Sequence, residues 1–555
     1  MSKKAKNNEV ALNPNRVSLG NKLAFACGDI FGGGSFNIIN FLFTPFLTLV
    51  VGIPMVHLTW LLLLTKIWDG IIDPFIGKIT DAKTPGKFGK RRWFMLICAA
   101  PVMVGLILLF FPWNLVTNSV ALKCVFVVIV YMLYATAQSF VLIPYYSHAS
   151  EMTDDFTERN RTNAVRLAFS IISSTICVAV PGMIAKPEWA ARPQDGGRCY
   201  ILMAAIFGVI FMISILVTAI FSKEQIVTPA VKTKFNFKEF IRPLKVKTYR
   251  QYLGMQMCTS MAMAMMSSFF FTLCDFYLRS QTYYSDTMWG VGRFPVGTVA
   301  AALMFVAQAV ALPFYLKLVK IKSKRFAYLT GAFIWMGVAA ICFFLPGEKG
   351  TPVYDAVSKT VSGITGGTPI WAMLIIGLAL GFGIGGTVFV PHSSFGDVCD
   401  VGELQFGERT EGAFSGITNF LNTTAQAIGL AIPPLVIGLA GYAETQYVTA
   451  SELADIQAAG GLKLSGIWHI IENFKITEFN GNYQMLPLSQ STAAQWAIRI
   501  CFAILPIIIM AIGCVIAFRY KLTKELQQKI VEANARTDKD SEEFAKLREE
   551  LLGQL

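Results

Sequence analysis

Apolar stretches long enough to cross a lipid bilayer recur along the whole chain, and they constrain the fold more than any other feature of the sequence. Of the 555 residues, 54% are hydrophobic and only 15% are charged. A soluble domain carries about a quarter charged residues and has no core able to bury so much apolar surface. The short alternating strands of an outer-membrane barrel are missing. The sequence therefore predicts an all-α polytopic membrane protein.

Twelve stretches have the length of a transmembrane helix, and we expect one helix in each. They are 23–50, 56–80, 93–112, 120–148, 163–185, 199–221, 251–279, 295–319, 327–346, 369–395, 412–441 and 494–518. A weak internal echo links the loop GKITDAKTPGKFGKRR after the second stretch with LVKIKSKR after the eighth. Two parallel halves of six helices around a midplane site are the major facilitator arrangement.

The division into halves predicts five regions along the chain. They are an N-terminal tail at 1–22, a first half at 23–221, a central loop at 222–250, a second half at 251–518 with a long loop at 442–493, and a C-terminal tail at 519–555. Lysine and arginine crowd into alternate loops, at 83–92, 232–250 and 320–325. By the positive-inside rule these loops and both termini face the cytoplasm, so we expect a multi-pass protein of a bacterial plasma (inner) membrane.

Two carboxylates interrupt the second stretch, in the sequence KIWDGIIDP. Asp69 and Asp73 are four residues apart and therefore share one helix face. Carboxylates inside an apolar span usually face a cavity, and an adjacent pair suits a small cation or a shared proton. The alternative is a packing pair neutralised by Lys66, three residues before Asp69. We favour the functional interpretation.

Other polar residues lie within the remaining stretches. Asp29 precedes the run Gly32–Gly34, which indicates either close helix packing or a cavity-lining helix. Tyr146, in IPYYS, suits either a sugar ring or an interfacial aromatic belt. Arg166 has two equally supported roles, because its side chain either extends to the interface or binds substrate hydroxyls. Asp275 lies close to the outer end of the seventh stretch and is a candidate for simple solvation.

The segments after the tenth stretch are the least regular. The tenth stretch is glycine-dense, and we expect it to be broken at Pro391 and followed by a charged loop. That loop carries candidate gate residues, although such a segment is usually a solvated turn; they are Asp397, Asp400, Arg409 and Glu411. We expect the loop at 442–493 to be an inert insertion rather than a lid. Leu522, Leu526 and Ile530 predict an amphipathic helix in the tail.

The motif WDGIIDP…GKFGKRRW resembles the glycoside–pentoside–hexuronide:cation symporters, the melibiose-carrier branch of the major facilitator superfamily. The likeness covers nearly the whole chain, including IPYYS and GDVCDVGE…RTEG. It implies alternating access, with substrate between the halves and the cation on the second and fourth helices. It places the cation at Asp69 and Asp73, with Lys66 in coupling. It places the substrate at Asp29, Arg166 and Tyr146, with Thr423 in the eleventh span.

The chain departs from that branch at two positions. Leu142 stands where the branch has a third carboxylate, and Thr423 stands where it has a lysine. Fewer oxygens weaken a sodium site, whereas a proton needs a single carboxylate. We therefore expect H⁺ as the coupling ion, with Na⁺ the alternative.

The expected function is secondary symport of a sugar or glycoside with a cation. The alternatives are the same scaffold carrying a lysolipid or other amphiphile, as in animal relatives, and a non-transport sensor. Four scattered histidines without an HExxH motif, and the lack of a P-loop or CxxC pair, argue against an enzyme, a metal centre or a cofactor. The expected partners are the sugar, the coupling cation and the bilayer. We expect no binding of nucleic acid, and we expect the protein to be a monomer.

Overall fold

The computed structural model describes residues 17–84, 86, 89, 91–153, 156–185, 197–222, 241–278, 284–285, 294–349, 353–355, 360–362, 365–407, 411–458, 462–463, 470–471, 474–479, 482–487, 489–534, 536 and 542–554. Within these ranges, twelve helices are long and apolar enough to cross a membrane, which confirms the predicted number. They are α1 (Leu19–Leu49), α2 (Met55–Ala82), α3 (Arg92–Leu109), α4 (Val120–Met152), α5 (Phe156–Ile184), α6 (Arg198–Phe221), α7 (Lys247–Phe276), α8 (Val296–Ile321), α9 (Lys324–Phe344), α10 (Ile370–Phe406), α11 (Glu411–Leu439) and α13 (Thr492–Arg519).

Local sequence signals set several helix ends. The Ser18 hydroxyl accepts a hydrogen bond from the Asn21 amide at 3.3 Å, and Ser323 does the same for Phe326 at 3.1 Å. Both serines satisfy amide groups that the first turn of a helix leaves unpaired. α13 contains a π-helical turn at Ile500–Ile504.

The expected break at Pro391 is wrong, because α10 runs without interruption to Phe406. A proline in a membrane helix is tolerated when neighbouring helices pack around the backbone group that it frees. The helix ends only at Gly407, whose φ of 77° lies in the left-handed region. Asp397 and Asp400 therefore lie on a helix and not on the predicted loop.

The helices pack in two sets of six, with the same pairing in each. α1 packs on α5, α2 on α4 and α3 on α6; correspondingly, α7 packs on α11, α8 on α10 and α9 on α13. This repetition is the arrangement of the major facilitator fold. We name α1–α6 the first half, and α7–α11 with α13 the second half. The two halves meet where α1 packs on α7, α2 on α11 and α5 on α8.

Twelve crossings return the chain to the side on which it started, so α1 begins and α13 ends on one side of the bundle. We name this the termini side, and the opposite side, which carries 440–491, the loop side. Thr44 and Ser268 hydrogen-bond across the halves near the loop side, with 2.8 Å between their hydroxyl oxygens. The ring of Phe41 packs against those of Phe271 and Phe305, at centroid distances of 5.7 and 6.1 Å. The halves are thus closed together towards the loop side.

Short strands and one helix occupy the loops. The strands are β1 (Tyr284–Ser285), β2 (Phe294–Pro295), β3 (Glu348–Lys349), β4 (Val353–Asp355), β5 (Thr360–Ser362), β6 (Thr365–Gly366), β7 (Gln446–Val448), β8 (Leu462–Lys463), β9 (Ile470–Ile471), β10 (Phe474–Phe479) and β11 (Asn482–Pro487), and α12 is Ala450–Ala458. β10, β11 and β7 form an antiparallel sheet in that order. Short 3₁₀ helices lie at Trp113–Leu115 and Arg242–Lys245. The loop at 442–493 is therefore partly folded.

The C-terminal tail forms two helices, α14 (Lys524–Asn534) and α15 (Glu542–Gly553). Leu526 and Ile530 are buried on α14, as their spacing predicted. Both helices pack on α10. The tail is thus attached to the second half.

Candidate substrate and ion site

The two carboxylates of α2 face α4. Ser139, on α4, donates a hydrogen bond to Asp73 Oδ1 at 2.6 Å. One turn away, the Trp68 indole donates to the Thr136 hydroxyl at 3.1 Å. Asp69 and Asp73 are both half-buried. A polar seam between α2 and α4 therefore holds the pair in place.

Lys66 divides the pair into two unlike groups. Its ammonium is buried and lies 3.0 Å from Asp69 Oδ2, so the neutralisation by Lys66 that the alternative interpretation proposed is present at Asp69. The same ammonium lies 5.8 Å from the ring centroid of Tyr131 and 5.9 Å from that of Phe36. The other oxygen of Asp69, Oδ1, is buried without a hydrogen-bond partner among the described residues. Asp69 is a charge-paired group, whereas Asp73 has a hydroxyl partner.

Asp29, Tyr146 and Arg166 come together on the inner side of the first half. Asp29 is 4% exposed, and Arg166 and Ser170 of α5 interact with its carboxylate, through charge and a hydrogen bond respectively. The Arg166 guanidinium carbon lies 5.3 Å from the ring centroid of Tyr146, a cation–π contact. Arg166 Nε is buried and has no hydrogen-bond partner among the described residues. The cluster therefore offers a buried carboxylate, an aromatic face and an unused donor.

The glycine run of α1 allows this cluster to form. A β-carbon added to Gly32 would lie 2.6 Å from Asp29 Oδ1 and 3.5 Å from Leu142 Cδ2, and one added to Gly33 would collide with Ser170. α1 thus lies against α4 and α5 at a distance that a larger side chain would prevent. Of the two interpretations of the run, close packing is the one observed.

Thr423 lies opposite the α2 carboxylates, on the second half. A β-carbon added to Gly70 would lie 4.0 Å from Thr423 Cγ2 and 3.6 Å from Phe420 Cδ2. α11 therefore packs on α2 at a position between Asp69 and Asp73. Asn422, the preceding residue, has a buried side-chain oxygen without a partner among the described residues. The polar half of α11 borders the same region as the carboxylates.

The charged residues after the tenth span have partners within the second half. Lys324 of α9 forms an ion pair with Asp397 and donates to the Ser393 carbonyl at 2.7 Å. Gln527 of α14 donates to the Asp400 carboxylate at 3.3 Å. Arg409 lies outside the described residues, as does the side chain of Glu411, which begins α11. The side chain of Asp275 is also outside them.

Sequence reasoning missed the residues of α4 that face the carboxylates. Tyr131 and Ser139 are eight residues apart, so they lie on nearly the same helix face. In the apolar sequence YMLYATAQSF, at 131–140, that recurrence of hydroxyl groups was the available signal. The sequence pattern does not show which helix this face of α4 contacts.

Comparison with known proteins agrees with this architecture. The family described as MFS/sugar transport protein matches residues 24–524. The chain is 24% identical over 441 residues to a glucuronide carrier protein homolog of Escherichia coli, covering 79% of this chain and 87% of the relative. It is 21% identical over 461 residues to sodium-dependent lysophosphatidylcholine symporter 1-B of Danio rerio, covering 77% and 80%.

The solved structure of a bacterial homologue of the human drug peptide transporters PepT1 and PepT2 has the same fold. The TM-score is 0.56 at 11% identity, covering 93% of this chain and 99% of that one. These matches confirm the resemblance to the glycoside–pentoside–hexuronide:cation symporters. The chain belongs to the MFS/sugar transport protein family, whose match extends over 24–524.

Proposed function

We propose that the protein takes up a sugar or glycoside together with a proton, by alternating access between its two halves. The observation that carries this proposal is the separation of two polar clusters within the first half. Asp29, Tyr146 and Arg166 form one cluster between α1, α4 and α5. Asp69 and Asp73 form the other between α2 and α4.

The first cluster suits a ligand rich in hydroxyl groups. The carboxylate of Asp29 accepts hydroxyl hydrogens, and the guanidinium of Arg166 donates in a fixed fork. The Tyr146 side chain is 47% exposed, so its ring is available for the apolar face of a sugar. The name of the Escherichia coli relative, a glucuronide carrier homolog, supports a glycoside as the cargo.

The second cluster suits a proton better than a sodium ion. Lys66 already neutralises Asp69, which leaves Asp73 with the Ser139 hydroxyl as the carboxylate that is able to accept a cation. Leu142, in the place of a third carboxylate, is buried and supplies no oxygen. Sodium requires several oxygen ligands, whereas one carboxylate binds a proton. Protonation of Asp73 would remove a charge from the region where α2 meets α11.

A lysolipid is the second candidate cargo, because one relative is named a lysophosphatidylcholine symporter. A phosphate headgroup would pair with Arg166, yet it would also lie beside the buried carboxylate of Asp29. Repulsion between these anions opposes that binding. The hydroxyl groups of a sugar accept a hydrogen bond from Arg166 and donate one to Asp29, and we therefore place sugars first.

Uptake into proteoliposomes tests the proposal. Labelled glycosides, pentosides and hexuronides, with lysophosphatidylcholine as the competing cargo, are supplied under an imposed pH gradient without sodium. We expect accumulation of at least one sugar above its external concentration. Stimulation of uptake by a sodium gradient alone, at constant pH, would show that the coupling ion is sodium and not the proton. Accumulation of the lysolipid and of no sugar would contradict the proposed cargo.

A further inference from the structure

A short segment of the long loop, 442–448, connects the two halves on the loop side. We call it the strap. Its base belongs to the second half: the Tyr442 ring packs on Phe276 of α7 at a centroid distance of 5.8 Å. The Ala443 amide and carbonyl bind the side-chain amide of Gln490 at 2.8 and 2.9 Å. Because Gln490 lies two residues before the start of α13, this base is fixed to the second half.

The other face of the strap binds the turn between α1 and α2, which belongs to the first half. The Thr445 hydroxyl donates to the Leu49 carbonyl at 2.7 Å, and the Tyr447 hydroxyl donates to the Val50 carbonyl at 2.5 Å. These carbonyls end α1 and have no partner within the helix. A β-carbon added to Gly52, whose φ is 72°, would lie 2.5 Å from the Thr445 carbonyl oxygen. The turn is thus shaped to receive the strap.

Glu444 completes the attachment by capping α2. Its Oε1 accepts a hydrogen bond from the Met55 amide at 2.8 Å, and the residue is 6% exposed. Pro54, the N-cap of α2, makes no capping hydrogen bond of its own. A carboxylate at a helix N-terminus also meets the positive end of the helix dipole. Glu444, which is fixed to the second half, therefore supplies the capping hydrogen bond that Pro54 cannot make for α2.

We propose that the strap is a latch that holds the first half against the second half on the loop side, so that this side opens only when the strap leaves the α1–α2 turn. An inert insertion would contact only its own half. The strap instead makes three side-chain hydrogen bonds to the other half, all to backbone groups at helix ends. The role of such opening in transport rests on the proposed alternating access. The attachment of the strap to the first half does not depend on that proposal.

Because the Glu444 carboxyl is titratable, the attachment of the strap depends on pH. Burial raises the pKa of Glu444 to about 7, and the Met55 amide opposes this rise. The basic residues on the neighbouring elements are Lys123, whose ammonium donates to the Val51 carbonyl at 2.8 Å and lies 5.2 Å from the Tyr447 ring, and the exposed His57 on the first turn of α2. In the released strap the carboxyl is solvated, with a pKa of about 4.3. The attached form therefore binds the proton more tightly, and attachment weakens as pH rises through about 7.

Hydrogen–deuterium exchange of the full-length protein in lipid nanodiscs tests the latch. Tyr447→Phe removes one hydroxyl and keeps the ring, and Glu444→Ala removes the cap. Two residues of the same loop provide matched controls: Tyr483→Phe on β11, and Glu452→Ala, whose carboxylate is exposed and binds Thr449 of its own turn.

We expect both strap variants to speed exchange about tenfold in the first turn of α2 and in the loop-side ends of α1 and α7. The controls should match the unmodified protein. Faster exchange confined to 442–448, with the helix ends unchanged in Tyr447→Phe, would overturn the proposal. If Glu444→Ala loses protection throughout the chain, the Tyr447→Phe result alone decides.

Uptake by the same variants, reconstituted into proteoliposomes, separates this proposal from the proposed function. Altered exchange without uptake of any substrate would leave the latch standing and reject the transport proposal. Normal uptake with unaltered exchange would reject the latch alone.

Discussion

Replacing Arg166 by alanine gives the sharpest test of the substrate cluster. The guanidinium interacts through charge with the Asp29 carboxylate, lies 5.3 Å from the Tyr146 ring centroid, and has a buried Nε without a partner among the described residues. An unused buried donor is costly until a ligand satisfies it, so substrate binding gains a hydrogen bond that the free protein lacks. In Arg166→Ala, the complex with substrate lacks this charge-assisted hydrogen bond.

The size of the effect follows from these contacts. A hydrogen bond to a charged group contributes about 1.5–3 kcal/mol. At 1.4 kcal/mol per tenfold change, Arg166→Ala should weaken substrate binding between about 10-fold and about 150-fold. Arg166→Lys keeps the charge but not the planar fork, and should recover only part of the loss.

Equilibrium binding of the best substrate of the sugar panel, by calorimetry on detergent-purified protein, measures the effect. Arg161→Ala is the matched control, because Arg161 lies on the same helix and its side chain is 63% exposed beside Glu158. Unchanged affinity in Arg166→Ala, with correctly folded protein, would refute the assignment of this cluster to the substrate.

Three further predictions concern charge. Asp73→Asn should abolish accumulation against a gradient and leave exchange across the membrane, as measured by counterflow; undiminished accumulation would exclude Asp73 as the ion site. Lys66→Met leaves the Asp69 carboxylate uncompensated, and should lower thermal stability, with Lys66→Met/Asp69→Asn recovering part of the loss; a double variant no more stable than the single one would contradict the pairing. Exchange in the first turn of α2 should rise between about pH 5 and pH 7 more in the unmodified protein than in Glu444→Gln, which cannot ionise, because that interval lies between the pKa values of the released and attached carboxyl; parallel profiles would show that Glu444 does not titrate there.

The helices and the shared face of the carboxylates could be predicted because their causes are local. Span length is a property of consecutive apolar residues, and the spacing of Asp69 and Asp73 fixes their relative position on any helix. The partners of those side chains depend on how each helix is rotated against its neighbours. Sequence alone therefore did not connect Ser139 with Asp73.

The errors have equally physical causes. A proline usually ends a helix in water, where a freed backbone group finds a solvent partner, and this led to the expected break at Pro391. In the packed interior of the bundle α10 continues, so the charged segment after Pro391 is helical. The contacts of the loop at 442–493 could not be predicted because its partners are remote in the sequence. Tyr447 binds the carbonyl of Val50, 397 positions earlier, and no local pattern marks such a contact.

The C-terminal tail has a consequence for measuring motion. Asn534 donates to the Asp400 carbonyl at 2.9 Å, and Arg548 donates to that of Gln405, so α14 and α15 are both fastened to the end of α10. In the proposed rocking of the halves, the tail moves together with the second half on the termini side. A fluorophore near the end of α15, paired with one at the start of α1, would report this movement as a change in the distance between the two labels. Neither label would lie inside the membrane.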